Sequence, residues 1–360
     1  FMKKMARFTV VLFILALSIL SPTAGVCQVS IDGTHLLKAR ISSELKNSIR
    51  AFRETPGTRD TTIQRADVKP PQVGDEVKFF LSLLSEGKNG KYEAPTTLRA
   101  IGEHCYVFVE KGQEYSEENV KKLCDVFDNK IYPRNHLFFG SEWNPGIDGD
   151  PRISLVLADI RDDYVASDPQ KQSVVRGYFS SLNEFPKAVS SESNEREMIV
   201  IDTHPTPPIP FYTIAHEFQH MIHWNNDPDE DNWVDEGMAC IAAIVNQGTD
   251  SHWPSFVQNC ESENLLSWLA GEENYGQAFY FMFYLLRQFA KEEAQASQLT
   301  RRIVQSKERG IKGVLGALTE RGTEIDFTAL FRNFCVACFV NDPALGNGIY
   351  SFNGRNVSKC

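Results

Sequence analysis

Hydrophobic and polar positions change period twice along the chain. From Leu36 to about Thr61 apolar residues recur at helical spacing in "LLKARISSELKNSIRAFRET", with charges on one face, and the polar stretch "PGTRDTTIQRADVKPPQ" follows. Strand-like runs come next: "EVKFFLSLL" and "TTLRAIGEHCYVFVE", rich in β-branched and aromatic residues and bounded by Gly and Asn. "SEENVKKLCDVFDNKIY" reads as an amphipathic helix capped by Ser116. "RISLVLADI" is almost wholly apolar and predicts a buried strand, with "VVRGYFSSLNEF" and "EMIVIDT" as further strands. From Pro210 onward the period is helical: "FYTIAHEFQHMIHW", "WVDEGMACIAAIVNQG", "YGQAFYFMFYLLRQFAKEE", "QLTRRIVQS" and "DFTALFRNFCVACFVND". This order predicts an α+β fold.

The first residues change the picture. Lys3, Lys4 and Arg7 precede an apolar run of about 13 residues, Phe8 to Leu20, and small residues follow at Ala24 and Gly25. The run is too short to span a bilayer, which needs about 20 helical residues. It predicts an export signal over 1–27 and a secreted, extracellular or periplasmic protein with no stable membrane span. Lipid attachment at Cys27 is the alternative, against which the bulky Val26 argues.

The chain has 360 residues, 42% of them hydrophobic, and a net charge of −10. An acidic chain without a cluster of Lys and Arg is unsuited to nucleic acid. Eight cysteines in an exported chain make disulfides an expectation. "CVAC", Cys335 to Cys338, lies in an apolar helical run and reads as core packing, not redox chemistry.

The chemistry concentrates in "TIAHEFQHMIHW". Residues four apart share a helix face, so His216 and His220 can offer two imidazoles to one metal ion. Glu217 is turned about 100° away, within reach of a water on that ion. Two neutral nitrogens and a carboxylate base are what zinc-assisted hydrolysis needs. A third protein ligand leaves the fourth position for water, and His223, Asp235 and Glu236 are the nearby choices. A third histidine six residues past His220 is absent, since that position is Asn226. Glu236 can face His216 and His220 from a second helix, "NWVDEGMACIAAIV", whose small residues permit close approach. The expected metal ligands are therefore His216, His220 and Glu236, with Glu217 as general base.

"AHEFQHMIHW" followed by "WVDEGMA" resembles the gluzincin metallopeptidases, above all the hyicolysin family, and more distantly the immune inhibitor A peptidases. The similarity extends through "TLRAIGEHCYVFVE", "GIDGDPRISLVLADI", "MIVIDT", "YGQAFYFMFYLL" and "ALFRNFCVACFVNDPALGNGIYSF", from about Gly74 to Phe352. It implies a zincin-like two-lobed fold, a mixed β-sheet lobe that carries the active-site helix and a mainly helical second lobe, with the zinc site completed by Glu236. It also implies peptide hydrolysis, in which Glu217 activates a zinc-bound water and passes its proton to the leaving amine. Relatives use a Tyr or His as a further oxyanion donor, which points to Tyr275 first and His223 second. One departure is Cys240, where many gluzincins carry an aspartate that orients a zinc histidine. That role falls to Asp235 or to a backbone carbonyl.

The expected organisation is a signal at 1–27, a pro-segment or linker at 28–72 that masks the cleft, an N-terminal α/β lobe at 73–224 and a C-terminal helical lobe at 225–360. Substrate is expected to pair with an edge strand, Val174 to Phe179, where Gly177 permits close approach. Calcium is a weaker expectation, at Asp148 and Asp150 or in the acidic loop Asp227, Asp229, Glu230 and Asp231. His35, His104, His136, His204 and His252 lack ligand spacing, and "NVSK" fits a glycosylation acceptor at Asn356. The leading function is a secreted zinc endopeptidase. The alternatives are a catalytically silent secreted or surface binding protein on the same fold and a zinc hydrolase of a non-peptide amide. The sequence does not give the oligomeric state.

Overall fold

The computed structural model describes residues 30–58, 71–85, 90–164, 174–203, 211–246, 264–268 and 272–353. The export signal expected at 1–27, with Cys27, Cys260, Cys360, His204, His252 and Asn356, lies outside the described residues.

A two-residue strand β1 (Ser30–Ile31) leads into helices α1 (Gly33–Arg40) and α2 (Ser43–Glu54). The helical pattern after Leu36 is thus two helices, not one, because the Ser42 hydroxyl accepts the Leu45 N–H at 3.2 Å and starts a new helix. Strands β2 (Glu76–Ser82), β3 (Lys91–Ile101) and β4 (Cys105–Glu110) form an antiparallel meander. β3 begins before Thr96 and passes through Pro95, which is tolerated because β4 ends opposite Thr96 at Glu110. Helix α3 (Glu117–Val126), capped by Ser116, continues through a π-helical turn at Phe127–Ile131 into α4 (Tyr132–Phe139).

Strand β5 (Ile153–Ala158) follows, then the short β6 (Val174–Val175) and β7 (Gly177–Phe179), a 3-10 turn at Ser181–Glu184, and β8 (Met198–Asp202). The strand expected through Phe185 is therefore cut short at Phe179. The remaining elements are helices: α5 (Phe211–Asn226), α6 (Asn232–Val245), α7 (Glu272–Phe289), α8 (Glu293–Val304), α9 (Gly310–Thr319) and α10 (Phe327–Val340). The pattern did not suggest α9, since Gly310, Gly313 and Gly316 weaken its helical signal, yet Val314, Ala317 and Leu318 bury one side of it.

The main sheet runs β2-β3-β4-β5-β8-β7, parallel at its centre and antiparallel at both ends. Both faces are buried. Val107, Leu155 and Ile199 face the helices, while Tyr106, Val156 and Val200 face a second cluster formed with Phe79, Leu81 and Leu98 of the curled β2-β3 ribbon. The result is a mixed α/β fold with a helical C-terminal part, and β7 is left at a sheet edge beside α5. No described helix is long and apolar enough to cross a membrane.

Candidate metal centre

Helix α5 owes its orientation to one apolar side. Ile214, Ala215, Phe218, Met221 and Ile222 are buried in the core, which turns His216, Glu217 and His220 toward β7 and α6. Gly177 lets the helix approach: a Cβ there would lie 2.9 Å from Thr213 Cγ2, 3.0 Å from the Val200 carbonyl and 3.3 Å from Glu217 Cγ. Helix α6 is held from behind by α7, where a Cβ on Gly237 would come within 2.7 Å of Met282 Cγ. The small-residue approach foreseen for α5 and α6 thus also operates between α6 and α7.

These constraints bring four donors together. His216 Nε2 and His220 Nε2 are 3.2 Å apart, and each lies 3.4 Å from Glu236 Oε2. Asp32 Oδ2 is 3.7 Å from His220 Nε2, and the ligand atoms of all four residues lie within 4.8 Å of one another. Tetrahedral zinc with bonds of about 2.0–2.1 Å separates its ligands by about 3.3 Å, close to the spacing of the three expected donors. Glu236 Oε2 is buried with no hydrogen-bond partner among the described residues, as a ligand atom would be.

No family model matches the chain. The chain is distantly similar to a metalloprotease. Over 266 residues it is 24% identical to the neutral metalloprotease ShpI of Staphylococcus hyicus, a match covering 66% of this chain and 57% of that protein. The chain therefore spans little more than half of that relative's length.

The electrostatics of the group favour a cation. Burial disfavours a charged His220, yet Asp235 and Glu236 beside it raise its pKa well above the ordinary histidine value. Burial also works against ionised Glu236, but His220 and His216 hold its carboxyl below the usual range. Glu217 is pushed well up, by burial and then by Asp32. Asp32, Glu217 and Glu236 are three buried carboxyl groups beside two imidazoles, a set whose joint ionisation a divalent ion would favour.

His220 Nδ1 lies 2.9 Å from Asp235 Oδ1, the carboxylate next to Glu236 on α6 and one of the two partners expected in place of an aspartate at Cys240. His223 meets the same carboxylate at 3.2 Å and Gln219 at 3.3 Å, and is not among the four clustered donors. Tyr275 is fully buried on α7, its ring 4.9 Å from that of Trp268, and burial, then the charges of Glu236 and Asp32, push its phenol well up. Asp32 and Thr34 were not foreseen. Their only local signal was the helix-starting Asp-Gly-Thr, and their contacts to the centre cross more than 180 residues.

The acidic loop between α5 and α6 is anchored by protein groups: Glu230 Oε1 accepts the Gly310 N–H at 2.7 Å, and Asp229 pairs with Arg309 at 2.7 Å. Asp150 accepts from the Tyr106 hydroxyl at 2.6 Å, which fits a turn before β5. Cys105 and Cys124 are brought together with Sγ atoms 3.5 Å apart, as thiols. Cys338 is buried on α10, as core packing predicts.

Proposed function

We propose that the chain is an exported zinc endopeptidase whose metal is held by His216, His220 and Glu236 and whose general base is Glu217. The spacing of the three donor atoms, 3.2 and 3.4 Å, carries this reading. The donor set favours zinc over calcium or magnesium, because two imidazole nitrogens suit a borderline ion while the hard ions take oxygen. The distant metalloprotease relative supports the same class, and export rests on the N-terminal sequence. In this reading the sheet part ends in α5, the helical part supplies Glu236 and Tyr275, and the cleft of a two-lobed zincin lies between them.

Bound zinc supplies a Lewis acid that polarises a carbonyl and makes a water acidic near neutral pH. The chain's own residues do the rest. Glu217 takes the proton of the attacking water and gives it to the leaving amine, and its raised pKa suits that exchange. Asp235 fixes the ring of His220 through Nδ1. Burial and the charge of Glu236 keep the Tyr275 phenol protonated, ready to donate to the developing oxyanion, with His223 the second choice. The N–H of Phe179 on β7, which here donates to Glu217 Oε2 at 3.0 Å and to Thr34 Oγ1 at 2.8 Å, is the backbone donor beside the base that an extended substrate would take over.

A silent binding protein is favoured by one observation, the fourth donor Asp32, since a four-ligand zinc site is closed to water. The deciding experiment is chelator-sensitive casein cleavage by the chain from Gln28 onward, before and after limited proteolysis, beside Glu217→Gln with zinc measured in both. One zinc in each protein and cleavage only with Glu217 present supports the peptidase. Zinc in both with no cleavage by either, before or after proteolysis, overturns it.

A further inference from the structure

The N-terminal segment reaches into the centre. Strand β1 pairs in parallel with β6, Ser30 opposite Val174 and Ile31 opposite Val175, in a small separate sheet just ahead of the edge strand β7. Gly33 makes the fit possible, since a Cβ there would lie 2.9 Å from Leu84, Val175 and Tyr178 side-chain atoms. Asp32 is thereby delivered to the donor group, its Oδ2 3.7 Å from His220 Nε2. Thr34 Oγ1 donates to Glu217 Oε2 at 2.7 Å and accepts from Phe179 N at 2.8 Å. One residue thus engages both the base and the edge N–H that a substrate needs.

The plainer account of Asp32 is helix capping, and its two oxygens do accept the Thr34 and His35 N–H groups at 3.0 Å. Capping explains a short polar residue at the start of α1, where Ser, Thr or Asn serves equally. It does not explain why this carboxylate is buried against Glu217 and Glu236, a costly arrangement unless a cation shares it.

We propose that Asp32 is the fourth ligand of the metal centre in the uncut chain, so that the segment Ser30–Arg40 is a tethered plug and the peptidase is latent until it leaves. This rests on the zinc-site reading above. Release needs one hydrolysis after α2, water adding across a peptide bond to give a carboxylate and an amine. A cut after α2 frees the plug together with that helix, and several of the attachments are polar. Lys38 Nζ reaches Asp235 Oδ2 at 3.3 Å and the Glu230 carbonyl at 3.2 Å, and Arg53 on α2 reaches the Asn225 carbonyl at 3.3 Å, while Leu36 and Leu37 are only partly buried and Ile49 and Phe52 supply the apolar contact of α2. A cleft of about 260 Å³ runs between Leu37 and Lys38 on one side and Phe179, His220 and Trp224 on the other, so loss of the segment removes one wall.

The test uses the chain from Gln28 onward with residues 60–69 replaced by the recognition sequence of a site-specific protease, as wild type and as Asp32→Asn and Thr34→Val. Asn keeps the helix cap, and thermal unfolding checks that each variant folds. With cobalt(II) in the centre, the visible absorption of the uncut wild type is expected to change in Asp32→Asn and again to differ once the segment has been cut and removed. Zinc loss to a chelator is expected to be at least about tenfold faster in Asp32→Asn than in wild type. Uncut wild type is expected to show no more than about 1% of the casein cleavage of the cut protein, as a plug closed 99 times in 100 would allow, and Thr34→Val is expected to leave the cobalt spectrum unchanged. Identical cobalt spectra and zinc-loss rates for uncut wild type and Asp32→Asn overturn the proposal, as does an uncut chain as active as the cut one. If the spectra differ as expected but the cut protein cleaves nothing, the ligand assignment stands and the peptidase reading fails.

Discussion

His220 and Asp235 share a hydrogen bond of 2.9 Å between Nδ1 and Oδ1, and Asp235, partly buried, is held well below the usual carboxylate pKa, against the cost of desolvation, by His220 and Lys38. In the proposed centre this carboxylate would hold the proton on Nδ1 and leave Nε2 to the metal. Asp235→Asn is expected to weaken zinc binding about 10- to 100-fold. Competition against a chromogenic chelator measures it, and Lys38→Met, which removes only the outer partner of Asp235, is expected to change zinc affinity far less.

Tyr275 is buried on α7 and is not among the four clustered donors. Tyr275→Phe keeps the ring packed on Trp268 and removes only the hydroxyl. The expected result is full zinc content with kcat reduced about 100-fold, in the range for loss of one oxyanion donor. An unchanged kcat would return Tyr275 to the core.

Gly177 is needed for space. In Gly177→Ala the added methyl meets the Val200 carbonyl, which belongs to the sheet and yields little. A loss of about 1–3 kcal/mol is expected from denaturant midpoints, and Gly177→Ser should lose at least as much.

Glu197 sets a pH dependence away from the centre. Its Oε1 accepts the Ile147 N–H at 2.9 Å, and burial, then Glu184, raise its pKa well above the ordinary value. A raised folded pKa means that the native state holds a proton which the unfolded state has already lost once the pH passes about 4.3. Stability from this group is therefore full below that pH and is lost as the pH rises toward the folded pKa, with a slope approaching about 1.4 kcal/mol per unit. Glu197→Gln should flatten that slope and raise Tm near neutral pH, as thermal scans across pH would record.

Much of this was legible in the chain. The apolar side of α5 is readable because Ile214, Phe218, Met221 and Ile222 repeat at helical spacing, and that same spacing puts His216 and His220 on one face. β5 was readable as buried because both its neighbours are parallel strands that hide its faces. Glu236 followed from loop length and small residues. Thr34 meeting Glu217 could not be read, because no periodicity relates residues 183 positions apart and pairing of β1 with β6 involves only two residues on each side. The break between α1 and α2 was hidden because Ser42 fits the polar face of one long helix as well as it fits a cap.

One apolar cluster runs unbroken from Val107, Leu155 and Ile199 beneath the sheet, through Phe218 and Met238, to Phe334 and Phe352 near the far end of the described chain. The helical part is therefore not an exchangeable cassette: a chimera joined after Val245 would leave Trp233 and Met238 without the Phe281 and Tyr284 side of α7 that shares their cluster. Grafting this centre onto another scaffold means carrying both halves together.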